Sequence, residues 1–573
     1  MTILFVLASP EYVRFFDETI ALLVRNGHHA HVVFEQAAEY KPMGLSGAGA
    51  LPFASVAVVN PPRTFWGDTS AAFRAVVDFL RFLHPDFADA QVLRERIRRK
   101  VLPKACQWLN VIPRMPAGVL NTVLRSLHVA ERALPVDPRV RRTLASIRPD
   151  VVVVSPLVDA ASAQVDWIKG AREQGIPSAL AVASWDNLTN KGLMRVRPDR
   201  VFVWNEIQRA EAVRYHAIPA PRIAVTGAPV FDRWFDRQPS QSREAFCRAA
   251  GLPDVSPFVL FTGSSPFIAD AQQEVAFVVR WIRALRGAPD PAVRGLRVIV
   301  RPHPYNVHAW TSADLGDDAS VVWPRTAFNP AGEHERRELF DSLAHAAVVV
   351  GINTTAMIEA AIVGRPVLTV SAFPTQAGTL HFRYLLHESG GPVRNAASLE
   401  EHLDQLASAL VQRDDATHPF VESFVRPQGL HDPSTPRLVA AIEQAATIHV
   451  RPQRNAAARI LLGPAMAAFG IWVATVERLT GSNPFAPIRK HVSHPLRVAR
   501  RRTERFLARL REQATRSGRI AGNRVRRAGH VVRSATRRGP AMYHRGRRAL
   551  RQARYAFGTL RRHRSSGSGR SRP

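Results

Sequence analysis

Cysteine is nearly absent from this chain: Cys106 and Cys247 are the only two in 573 residues, with no CxxC pair and no Cys/His cluster. That scarcity excludes a disulfide framework and a structural zinc site, and it fits a reducing compartment. The N-terminus lacks the basic segment of a signal peptide. Its short apolar run, Ile3–Ala8, reads as a first β-strand, so a cytoplasmic body is expected. Also missing are a GxxxxGK[ST] loop, a GxGxxG after the first strand, HExxH and GxSxG. Those gaps speak against P-loop nucleotide hydrolysis, ordinary dinucleotide redox chemistry, zincin proteolysis and lipase-type acyl transfer. No DxD stands at a strand end to hold a metal-bound diphosphate, so a reaction without metal or cofactor is expected.

The end of the chain lacks acid. Of 78 Lys and Arg, 31 lie at or beyond Arg451, against only 3 of the 47 Asp and Glu. The formal charge of +31 therefore belongs almost wholly to residues 451–573, and residues 1–450 carry a net of only +3. Nucleic-acid binding cannot be read from such a total, because charge speaks to location and partners, not to fold. Near the start of the tail, after Arg454 and Arg459, come 17 uncharged residues, Ile460–Val476, containing Pro464. Spans of a bilayer take about 17–25 residues, so this segment suits a buried or interfacial helix as well as a span. Beyond it Leu496, Ala499, Thr503, Phe506 and Leu510 recur at helical spacing among arginines, and the Ser/Gly/Arg-rich end is low in complexity.

What is present upstream is an alternation of short apolar strands with amphipathic helices, the pattern of parallel sheets wrapped by helices. It runs through Ile3–Ala8, a helical stretch Tyr12–Arg25 and Ala30–Phe34. The rhythm lapses over Thr64–Pro138, where helical and basic segments dominate, and resumes at Val151–Ser155. After a polar linker near Asp236–Glu244 a second series begins at Phe258–Thr262. The expected architecture is α/β: a doubly wound domain 1–235 with a helical insertion 64–138, a second doubly wound domain 236–450, and a basic helical tail 451–573. Ligands of open parallel sheets bind beyond the carboxyl ends of the strands, so the cleft between the domains is the expected site.

Four constellations sit at such strand ends. Arg301-Pro302-His303-Pro304 follows Val298–Val300, and Arg with His suits an anionic oxygen. Gly351-Ile352-Asn353-Thr354-Thr355 opens a helix bearing Glu359 one turn on, so backbone N–H groups and hydroxyls could hold phosphate while Glu359 accepts from vicinal hydroxyls. Asn353 or Thr354 would equally serve as a helix cap, which leaves the acidic residue unexplained. Gly263-Ser264-Ser265 ends the second domain's first strand, where a Gly/Ser turn admits a diphosphate or is an ordinary strand exit. In the first domain Ser184–Gly192 gathers Asp186, Asn187 and Lys191 after the strand Ala179–Ala183. Asp186 could take an acceptor proton and Lys191 could stabilise phosphate charge. Asp159 and Glu11, at neighbouring strand ends, are further candidates for the base.

These residues resemble the GT-B glycosyltransferase superfamily over about residues 1–445. Arg301–Pro304 and the segment Asn353–Glu359 followed by Gly364-Arg365-Pro366 look like the donor motifs of CDP-glycerol glycerophosphotransferases and capsule-polysaccharide transferases. The resemblance implies two Rossmann-like domains facing across a cleft, with His303, Thr354, Thr355 and Glu359 on the nucleotide diphosphate and ribose. The chain departs from that group in having Thr354-Thr355 where Ser-Ser is usual, and in lacking an identifiable N-terminal catalytic His. Non-hydrolysing UDP-N-acetylglucosamine 2-epimerases share the fold, but their Ser-Gly-Gly-x-x-Glu-Glu pattern is absent from Gly351–Ala361.

The expectation is a glycosyltransferase of envelope or surface-polysaccharide synthesis. Its partners would be a nucleotide-activated donor and a hydroxyl acceptor, which lipid linkage would place at the membrane. The alternatives are glycerophosphoryl transfer, a 2-epimerase, and a non-catalytic nucleic-acid-binding protein. Few aromatics accompany the tail arginines, which favours an anionic membrane surface at the inner face of the cell membrane over nucleic acid.

Overall fold

The computed structural model describes residues 1–35, 53–60, 64–324, 332–377, 379–411 and 417–481. The tail beyond 481, with the amphipathic helix expected around 496–510, lies outside the described residues.

Two all-parallel sheets carry the chain. The first contains β1 (Thr2–Leu7), β2 (His29–Phe34), β3 (Phe53–Val58), β4 (Val151–Ser155), β5 (Ser178–Ala181), β6 (Arg200–Val203) and β7 (Ile223–Val225), in the spatial order β3-β2-β1-β4-β5-β6-β7. The second contains β8 (Phe258–Thr262), β9 (Arg297–Arg301), β10 (Ser320–Val322), β11 (Val348–Gly351), β12 (Val367–Val370) and β13 (Val393–Ala396), ordered β10-β9-β8-β11-β12-β13. β4 is buried along its whole length, and so is β11, because helices cover both faces of each sheet. The strand order reverses between β1 and β4 in one sheet and between β8 and β11 in the other, which opens a crevice at those points. The doubly wound architecture is thus as expected, although β3 and β13 had no clear signal in the sequence.

The boundary at residue 450 needs correction. The helix Ser434–Ala446 does not belong to the second domain's core: its Leu438, Val439, Ile442 and Ala445 pack among Ile3, Phe5, Val151 and Phe202 of the first. Asp232 fixes this return, because its carboxylate accepts from the backbone N–H of Ser434 (3.0 Å) and of Thr435 (2.6 Å) and pairs with Arg426 (3.1 Å). Gly227 sits at the crossing with φ +81°, and a Cβ there would lie 2.0 Å from Ser434 Oγ. Only glycine fits.

The tail likewise begins as part of the folded body. Ala456–Leu479 is one helix that continues through Pro464, and among the described residues it alone is long and apolar enough to cross a membrane. One side of it packs on the helical insertion, with Val473 buried, Phe469 edge-on to Phe73 at 6.2 Å, and Glu477 accepting from the Lys104 N–H at 2.6 Å. Ile460, Leu461, Ile471, Trp472 and Leu479 remain exposed.

The insertion itself organises the site. Its helix Phe65–Arg81 buries Asp78 and Arg81 against the loops after β4 and β5. Asp78 accepts from the N–H of Ala161 (2.7 Å) and of Leu193 (2.8 Å) and pairs with the fully buried Arg195. Arg81 donates to the carbonyls of Leu188, Lys191 and Gly192. A buried ion pair of this kind fixes loop position, and loss of one partner is costly.

Candidate active-site cleft

The crevice between the sheets holds two adjoining cavities of about 250 and 200 Å³. Ser184, His303, Thr354 and Thr355 line both, so the two form one continuous cleft.

Into the larger cavity the second domain projects Arg301 from the end of β9, His303 from the loop beyond, Thr354 and Thr355 after β11, and Glu359 from the helix Ala356–Ile362. The approach of these segments depends on Gly263, where a Cβ would stand 2.7 Å from the His303 backbone nitrogen. Arg301 is buried, and the Ser342 hydroxyl 3.3 Å away is a weak partner for a cation. Burial lowers its pKa to about 10 against the opposing pull of Glu338 and Glu359. Burial, helped by Arg14, pushes His303 down to about 4, so the ring is neutral. Its Nδ1 accepts the Tyr305 N–H at 3.2 Å, which leaves the proton on Nε2 as a donor. Burial raises Glu359 to about 7, although Arg14 and Arg301 pull it down. The opposite wall brings Glu11 and Arg14 from the segment after β1, with Trp204, Phe231 and Trp234 as an aromatic flank. Tyr305 spans the cleft, its hydroxyl 3.1 Å from Glu11 Oε2.

The smaller cavity is lined by Asp186, Asn190, Ser265, Asn353, Arg96 and His381 among others. Burial opposes ionisation of Asp186, but Lys191, His381 and Arg96 outweigh it and hold the carboxyl below its ordinary range. Burial pushes His381 down to about 4 despite Asp186, and its ring stands edge-on to Trp185 at 4.4 Å. Trp185 in turn donates to Thr355 Oγ1 at 3.3 Å, joining the domains at the wall between the cavities.

The structure therefore brings Glu11, Asp186, Arg301, His303, Ser265, Asn353, Thr354, Thr355 and Glu359 into the cleft. It does not bring in four other expected residues, and each has an internal partner instead. Ser264 is fully buried, giving its N–H and hydroxyl to Glu274 at 2.6 Å. Asn187 accepts from the N–H groups of Ala183 (3.3 Å) and Ser184 (3.2 Å), a turn-forming role. Lys191 is bound to Asp159 at 2.8 Å and to the Tyr12 hydroxyl at 3.1 Å. Burial works against the lysine's charge, yet Asp159, Tyr12 and Asp186 raise its pKa well above the ordinary value. Sequence reasoning missed Arg14, Arg96, Tyr305 and His381. Tyr305 directly follows the Arg301–Pro304 motif and Arg14 follows Glu11 in the segment after β1, so both carried a positional signal; Arg96 and His381 come from segments that carried none. Among the described residues no group of three or more His, Cys, Asp or Glu is placed to hold a metal ion.

No protein-family model matches the sequence, and comparison with curated proteins returned no match. Solved structures do show a likeness. The UDP-GlcNAc 2-epimerase from Methanocaldococcus jannaschii is 13% identical, covering 78% of this chain and 100% of its own, with a TM-score of 0.44. A glycosyltransferase from Rickettsia africae is 9% identical over 78% of this chain and 98% of its own, at 0.45. WaaG, a glycosyltransferase involved in lipopolysaccharide biosynthesis, is 16% identical over 80% and 100%, at 0.37. Epimerases and glycosyltransferases alike therefore stand among the structures that this chain resembles.

Proposed function

We propose that this protein is a transferase that holds a nucleotide-activated donor in the larger cavity and receives a hydroxyl acceptor through the smaller one. The observation that carries this reading is the convergence of Arg301, His303, Thr354 and Glu359, from separate segments, on one cavity at the point where strand order reverses. Arg301 and the His303 Nε2–H face the diphosphate, and the Thr354 and Thr355 hydroxyls donate to its oxygens. Glu359 accepts from ribose or sugar hydroxyls, and the aromatic flank of Trp204, Phe231 and Trp234 takes the apolar face of the base.

In the reaction the acceptor oxygen bonds to the transferred atom, an anomeric carbon in glycosyl transfer. The bond from that atom to the diphosphate breaks, and its electron pair leaves on the nucleoside diphosphate, stabilised by Arg301 and His303. The acceptor proton passes to Asp186, which is already ionised and lines the adjoining cavity. Glu11 is the second candidate base, because it lines the donor cavity under the Tyr305 hydroxyl.

Purified full-length protein would be assayed for release of nucleoside diphosphate from a panel of nucleotide sugars and from CDP-glycerol. Release from a nucleotide sugar, lost in His303→Ala, is expected. Release from CDP-glycerol alone would convert the reading to glycerophosphoryl transfer, and release from neither would overturn both. We also propose that the enzyme is held at an anionic membrane. The exposed apolar side of Ala456–Leu479 and the arginine excess beyond Arg451 support this. Co-sedimentation with phosphatidylglycerol vesicles and not with phosphatidylcholine vesicles is the expected result; DNA binding without vesicle binding would refute it.

A further inference from the structure

The smaller cavity is lined by polar groups that find no partner among the described residues. Arg96 reaches it from the insertion helix Gln91–Lys100, and its guanidinium lies 4.1 Å from the ring centroid of Phe267 in the other domain. No carboxylate among the described residues lies within ion-pair distance of it, although Asp186 and Asp159 act on it from further off. The contrast with the other cations nearby is sharp. Lys191 has Asp159, Arg195 has Asp78, and Arg74 has both Glu131 and Asp166. Two further groups lining the cavity are buried and lack a partner: the Oδ1 of Asn190, 5% exposed, and the Nδ1 of His381, 3% exposed. Buried polar groups are satisfied in native structures, and a half-buried cation on an aromatic face with no carboxylate in reach is a ready partner for an anion. One kind of ligand suits this lining: an anionic group on Arg96, with hydroxyls beside Asn190 and His381.

We propose that the smaller cavity is an acceptor subsite for a phosphate ester that also bears hydroxyl groups, with the phosphate on Arg96 and the reacting hydroxyl at Asp186. This deepens the transferase reading and rests on it for the role of the bound ester, while the binding site stands on its own geometry. The insertion is then a specificity element as well as a scaffold, because it supplies the charge that selects the acceptor. A soluble sugar phosphate and a lipid headgroup share this chemistry.

The test is calorimetric titration of the full chain with sn-glycerol 3-phosphate, with glycerol, and with a lysophosphatidic acid kept below its micelle concentration. UDP at saturation would block the larger cavity; should UDP not bind, the Arg301→Ala variant, stripped of that cavity's buried cation, replaces it. The expected result is binding of the phosphate esters, no binding of glycerol, and at least tenfold weakening in Arg96→Ala. Arg96→Lys should recover part of the loss. Arg99→Ala, on the same helix but exposed and paired with Glu95, should change nothing. Tighter binding of the lysophospholipid than of glycerol 3-phosphate would assign a lipid headgroup, and the reverse order a soluble ester. Glycerol binding as tightly as its phosphate, no ester binding to the wild type, or equal loss in Arg96→Ala and Arg99→Ala would overturn the proposal. UDP affinity in Arg96→Ala should match the wild type, and the transferase reading is struck separately, by absence of nucleoside diphosphate release from the whole donor panel.

Discussion

The two walls of the cleft are built from similar residues and used differently. On the first-domain side Lys191, Asp159, Tyr12 and Asn187 are engaged with partners of this same chain. On the second-domain side Arg301 is buried with a hydroxyl where a cation would take a carboxylate, and Glu359 is raised to about 7 by burial. A matched set costs little to bury and fixes loop geometry, whereas an unmatched charge awaits a ligand of opposite sign. The difference between them therefore separates architecture from chemistry, and Arg96 falls on the chemical side although it belongs to the first domain.

The largest test of that division is Asp78→Ala. It strands the fully buried Arg195 and frees two loop N–H groups, so unfolding by denaturant should show a loss of about 3–5 kcal/mol. A stability within error of the wild type would remove Asp78 from the architectural set. Next comes Arg301→Ala, which should weaken UDP binding by about 10- to 100-fold, in line with a charge-assisted hydrogen bond of about 1.5–3 kcal/mol. Its unfolding free energy should hardly change, since among the described residues the guanidinium's hydrogen-bond partner is the Ser342 hydroxyl alone.

Glu359→Gln sharpens the comparison through pH. The carboxyl rises from 4.5 to about 7 on folding, so its ionisation is disfavoured in the folded state and stability falls as pH climbs between those values. The variant should therefore melt at a higher temperature than the wild type at pH 8 and at the same temperature at pH 4. Equal melting at both would mean that Glu359 is not buried in the way described. The smallest effect belongs to Lys191→Met. Asp159 already cancels this lysine's charge, so UDP affinity should move less than about threefold, while half-exposed Asp159 tolerates the loss of its partner. A tenfold loss would return Lys191 to the phosphate-binding set.

Much of the fold was legible because buried parallel strands are runs such as Val151–Val154 and Val348–Val350, and such runs need no knowledge of their neighbours. The return of the helix Ser434–Ala446 to the first sheet was not legible, because its partners, Ile3 and Phe202 among them, are hundreds of residues away and leave no local mark. The lining of the larger cavity was legible for a related reason: Arg301, His303, Thr354 and Glu359 all come after strand ends, where a parallel sheet opens its crevice. Lys191 and Ser264 follow strand ends too, but their partners Asp159 and Glu274 turn them inward. His381 and Arg96 reach the cleft from a loop and from the insertion, where no strand pointed to them.

By itself the sequence determined two parallel sheets, the strand ends at which chemistry could sit, and the confinement of excess charge to the end of the chain. These are local properties, set by the period and length of apolar runs and by composition. Only the tertiary structure decided which polar groups are spent on one another and which are left for a ligand. Partnership between charges depends on distances of a few ångströms between residues that the chain keeps far apart.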